Sequence, residues 1–135
     1  INQKGLDFYH RLVDSLLAKN LVPWMTLYHW DLPQALQDKG GWANRDSVSW
    51  FCDYAETVAR SFQDKVGHFI LLNEPSITTF VSLIEGLNAP GLQDVRKCHA
   101  AIHHQNLCVG RGFRTLKSVS SDFFVGSSYT IFPVR

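Results

Sequence analysis

Residues 66–75 read Val-Gly-His-Phe-Ile-Leu-Leu-Asn-Glu-Pro, a near-continuous apolar run that ends abruptly on Asn73-Glu74-Pro75. A run with so little polar alternation suits a strand covered on both faces, as in a parallel sheet. Upstream, Val48, Phe51, Ala55, Val58, Ala59 and Phe62 recur at helical spacing, with Asp46 or Ser47 as the expected N-cap. Before that helix, a loop rich in turn residues follows a second apolar run at 21–28, Leu-Val-Pro-Trp-Met-Thr-Leu-Tyr. The chain opens with a helical pattern over 5–20, where Leu6, Tyr9, Leu12, Val13, Leu16 and Leu17 share one face and Asn20 is the expected stop. Downstream, 73–91 is less regular, a helix is predicted over 94–117, and a third strand over 122–131. Strands alternating with helices predict an α/β fold with a parallel sheet and helical crossovers. Active sites of such folds lie at the carboxyl ends of the strands, where both His29-Trp30 and Asn73-Glu74 fall.

Composition narrows the possibilities. The 135 residues fit one domain by the prior of about 150 residues per domain. Four Trp, four Tyr and nine Phe exclude a disordered chain. Thirteen basic against twelve acidic residues leave a formal charge of +1, so there is no electrostatic footprint for nucleic acid or a membrane surface. The longest apolar runs, about five to seven residues, fall far short of the ~20 needed to span a bilayer. Cys52, Cys98 and Cys108 are odd in number and form no CxxC pair, which points to free thiols in a reducing, cytoplasmic compartment. The chain begins at Ile1 within a helical approach and stops at Arg135 just past a strand, with neither initiator Met nor signal peptide, so a fragment is expected.

Glu74 is the sharpest chemical feature. A carboxyl at the mouth of a sheet, beside apolar surface, is placed to give up a proton near neutral pH. The Asn73 amide can donate to and accept from a hydroxyl, and Pro75 sets the turn that follows. For the bare tripeptide, a simple strand stop is the plainer reading. His29-Trp30 pairs an imidazole with an indole face, which suits a sugar ring; a packed histidine and tryptophan is the alternative. His103-His104 has no carboxylate or cysteine at metal-ligand spacing and is assigned to structure, as are Cys98 and Cys108.

Several segments together resemble glycoside hydrolase family 1, the β-glucosidase/β-galactosidase family. They are Asn2-Gln3-Lys4-Gly5-Leu6-Asp7-Phe8-Tyr9, Thr26-Leu27-Tyr28-His29-Trp30-Asp31-Leu32-Pro33-Gln34, Gly40-Gly41-Trp42, Asn44-Arg45, Asn73-Glu74-Pro75 and Ala89-Pro90-Gly91, all collinear. The resemblance implies a partial (β/α)₈ barrel, strands three to five with their helices, and makes residues 1–135 an internal segment of one barrel domain. It further implies that Glu74 is the general acid/base, that Asn73 holds the sugar 2-hydroxyl, and that His29 and Trp30 contact the 3-hydroxyl. The substrate would be a small-molecule β-glycoside or oligosaccharide, with no metal or organic cofactor.

Three departures lie toward the leaving-group side: Ser76 where many members carry Trp, Asn88 where they have His, and Thr130 where they have Asn. The family's nucleophile, a Glu in a Glu-Asn-Gly motif, does not occur in these residues. A closed barrel needs about 250 residues, so the remainder is expected from flanking chain. A phospho-β-glycosidase of the same family, a non-catalytic sugar- or protein-binding homologue, and an inactive fragment remain open as alternatives.

Overall fold

The computed structural model describes residues 1–131. Helix α1 (Gln3–Leu17) precedes strand β1 (Trp24–Tyr28). The loop after β1 holds the short helix α2 (Gln34–Gln37) and a 3₁₀ turn over Gly41–Ala43. Helix α3 (Ser47–Phe62) then leads to β2 (His68–Asn73). Helix α4 (Pro75–Phe80) runs into a π-helical turn, Val81–Glu85, and α5 (Val95–Val119) leads to β3 (Phe124–Ser128). The sheet order is β1-β2-β3, parallel throughout, with Trp24 opposite His68 and His68 opposite Phe124. The alternation read from the sequence is thus the architecture.

Right-handed crossovers running the same way across a sheet place α3 and α5 on one face, where they pack on each other. Between them and the sheet lies the core, centred on Phe62, Phe69, Leu71 and Leu116. Cys108 sits within it and Cys98 in a neighbouring cluster; all three cysteines are free. His104 is also buried, its Nδ1 2.9 Å from the Trp42 carbonyl, so the structural assignment of that histidine holds.

Several boundaries differ from the reading of the sequence. Strand β1 starts at Trp24 instead of residue 21, because Leu21 and Val22 complete the exit from α1. Asn20 there adopts φ 57°, and the Leu21 N–H reaches the Leu16 carbonyl at 3.1 Å, a Schellman closure around the expected stop residue. At α3 neither expected cap acts through its side chain: Asp46 is already helical and makes no capping bond, and Asn44 Oδ1 accepts from the Asp46 N–H at 2.9 Å. The stretch after Glu74 is helical because Pro75 occupies the first turn, where its missing N–H costs nothing. Strand β3 is shorter than predicted, and the strands are not buried along their whole length: Trp24 and Phe124 are 60% and 66% exposed, whereas Leu27 and Tyr28 at the other end of β1 are buried. The physical reason is that helix α5 packs on the face carrying Leu71, and Trp24, His68 and Phe124 lie side by side on the other. Among the described residues no helix is long and apolar enough to cross a membrane.

Candidate active site

The carboxyl ends of β1 and β2 bring the sequence-predicted residues side by side. His29 and Trp30 follow Tyr28 directly, and their rings lie 6.2 Å apart. Trp30 turns back toward the sheet at φ 78°, and its Nε1 donates to the Asn73 carbonyl at 2.9 Å. That bond ties the loop after β1 to the last residue of β2, across 43 positions of sequence.

At its carboxyl end, β2 carries one residue more than β3 between Ile70 and Asn73. Such a bulge turns a strand and re-aims the side chains beyond it. Asn73 comes to lie opposite Ser128, whose hydroxyl donates to Asn73 Oδ1 at 2.6 Å. With Oδ1 occupied, Nδ2 is the end of the amide left to donate to a ligand oxygen.

Glu74 leaves the strand in the left-handed region, φ 46° and ψ 56°, its N–H held by the Ser128 carbonyl at 3.0 Å. A non-glycine residue there costs on the order of 1–3 kcal/mol and persists only when its surroundings impose it. The surroundings do so from both sides: Pro75 begins a helix at once, and the Glu74 carbonyl accepts from the N–H of Thr78 at 3.0 Å. The Glu74 carboxyl accepts a hydrogen bond from the Thr130 hydroxyl through Oε1, which leaves Oε2 to carry a proton. Among the described residues with positive φ outside glycine are Trp30 and Glu74, two of the four residues singled out from the sequence.

His29, Trp30, Asn73 and Glu74 thus share one sheet edge. Ser128 was not foreseen, and Thr130 was weighed only as a departure from the family pattern. No local signal marks either residue, because their roles arise from the β2–β3 register. Among the described residues no group of three or more His, Cys, Asp or Glu side chains is placed to hold a metal ion. The arrangement offers a carboxyl, an oriented amide and aromatic surface, the groups that protonate and bind a hydroxylated substrate.

The sequence profile of glycosyl hydrolase family 1 matches residues 1–133. The chain belongs to that family. Within family 1, a 1,4-β-D-glucan glucohydrolase of Thermotoga neapolitana is 42% identical over 126 residues, matching 93% of this chain and 30% of its own length. Thermostable β-glucosidase B of Thermobispora bispora is 49% identical over 114 residues, 84% of this chain and 24% of its own. The structure of the Thermotoga maritima β-glucosidase in complex with deoxynojirimycin superposes with a TM-score of 0.93 at 41% identity, over 96% of this chain and 30% of that one. This family 1 chain therefore spans 24% to 30% of the length of these relatives.

Proposed function

We propose that this chain is the acid/base segment of a retaining β-glycosidase of the β-glucosidase type, acting on terminal β-linked glycosides. The observation that carries the reading is the placement of Glu74, one residue beyond β2 and hydrogen-bonded by Thr130 from beyond β3, with Asn73 beside it. Family 1 membership and relatives named β-glucosidase support it. On this reading the described sheet is strands three to five of a (β/α)₈ barrel, and the other strands come from the rest of the protein.

The chemistry then runs in two halves. Glu74 Oε2 protonates the glycosidic oxygen while a carboxylate from a later strand attacks the anomeric carbon, so the leaving group departs as an alcohol. Glu74, now ionised, takes a proton from the water that hydrolyses the glycosyl-enzyme. Retention requires the two carboxyl groups to stand about 5–5.5 Å apart. Asn73 Nδ2 meets the sugar 2-hydroxyl and His29 the 3-hydroxyl, while Trp30, whose Nε1 is given to the Asn73 carbonyl, contacts that side of the ring through its indole surface.

The test is Glu74→Gln in the full-length protein. General acid catalysis supplies about 10²–10⁴-fold, so glycosides with poor leaving groups should slow by that much. Activated aryl glycosides need little protonation and should still form the glycosyl-enzyme. Equal losses on both would overturn the acid/base role. The 135-residue chain alone, which lacks a Glu-Asn-Gly motif, should turn over no aryl β-glucoside.

A further inference from the structure

Two residues at the carboxyl end of β3 reach back to the two residues that end β2. The Ser128 hydroxyl donates to Asn73 Oδ1, and the Thr130 hydroxyl, two positions further along the chain, donates to Glu74 Oε1. The Ser128 carbonyl also accepts from the Glu74 N–H at 3.0 Å. The backbone of Glu74 is thus fixed from β3 at φ 46°, but its carboxyl stands at the far end of a flexible side chain. Such rotamer freedom is given up only where a contact opposes it.

Thr130 supplies that contact, and the type of donor matters. Among the described residues no lysine or arginine pairs with Glu74. A cation beside an acid/base carboxyl favours its ionised form and opposes proton donation. A neutral hydroxyl adds no charge and can donate to the carboxyl in either protonation state. The ionised carboxylate can only accept, so Thr130 gives its proton to Oε1. With Oε1 engaged, Oε2 is the oxygen on which a proton arrives.

We infer that Thr130 is a positioning residue for Glu74: its hydroxyl holds Oε1, so that Oε2 gives the proton in the first half of the reaction and takes it in the second. The inference rests on the acid/base reading of Glu74 and adds to it the group that orients the carboxyl. Thr130 acts through Glu74, and its effect is confined to steps in which Glu74 moves a proton. Misplacing a catalytic group by about 1 Å can cost ~10²-fold in rate, so the loss of a single orienting hydrogen bond is measurable.

The experiment is Thr130→Val in the full-length protein, which keeps the shape of the side chain and removes the donor. For glycosides with poor leaving groups, kcat/KM should fall by about ten- to a hundredfold. For activated aryl glycosides, whose departure needs little protonation, kcat/KM should hold. Thr130→Ser, which retains the hydroxyl, should recover the loss on poor leaving groups. Thr130→Ala gives the same readout should Thr130→Val fail to fold. Equal losses on both series, or a Thr130→Ser variant as slow as Thr130→Val, would each overturn the proposal. Failure of the acid/base reading is seen separately, as a Glu74→Gln variant without leaving-group dependence. A leaving-group-dependent Glu74→Gln beside a Thr130→Val variant as fast as the wild type would remove the positioning role alone.

Discussion

The hydroxyl of Ser128, in β3, holds the side-chain amide of Asn73, at the end of β2, through a 2.6 Å hydrogen bond to Oδ1. The bond sets which end of the amide is left to donate. Ser128→Ala frees the amide to rotate, and a lost hydrogen bond of this kind is worth about 1 kcal/mol. The expected outcome is a fall of roughly five- to tenfold in kcat/KM for β-glucosides. The matching 2-deoxyglucosides, which lack the hydroxyl assigned to Asn73, should change little. Equal losses on both series would remove Asn73 from that role.

His29 follows β1 with its ring exposed beside Trp30, and the proposed function gives it a binding role and no proton transfer. His29→Ala should lower kcat/KM and leave the shape of the pH profile unchanged, as the loss of a positioning hydrogen bond does. Loss of one limb of the profile would reassign the residue to proton transfer.

At Gly112, helix α5 packs against Phe51 of α3 and Leu71 of β2 with no side chain of its own between them. A Cβ there would stand 3.0 Å from the Phe51 ring and 3.1 Å from Leu71, both in the core. Gly112→Leu forces side chains into that contact, and overpacking typically costs 1–3 kcal/mol. Denaturant unfolding of the full-length protein should show a loss in about that range, while Gly110→Leu, where a Cβ meets nothing within 4 Å, should not.

Burial pushes the Cys108 thiol up to about 12, with Cys52 adding to the effect. An unfolded thiol titrates near ~8.5. Below that pH both states are protonated and the contribution of the buried thiol is fully present. Above it the unfolded chain releases a proton that the folded chain keeps, so stability falls by about 1.4 kcal/mol per pH unit. Unfolding midpoints measured between pH 7 and pH 10 should decline, and Cys108→Ala should flatten the decline. The native thiol should also resist alkylation at pH 8.

The order of the three strands and the three long helices, the parallel sheet and the placing of His29-Trp30 and Asn73-Glu74 at strand ends were legible in the sequence, whereas the short helices α2 and α4 were not. Each rests on a short-range cause: the period of apolar residues, a proline that cannot continue a ladder, an asparagine that tolerates the left-handed turn at residue 20. The tertiary structure decided the rest. Trp30 meets the Asn73 carbonyl, Ser128 orients the Asn73 amide, and Thr130 reaches Glu74 only because packing of α3 and α5 sets the register of three strands. The bulge that aims Asn73 is a one-residue mismatch between β2 and β3, which neither strand reveals alone. The exposure of Trp24 and Phe124 likewise depends on which surfaces meet. A local pattern determines what an element is; partners dozens of residues away determine what its side chains touch.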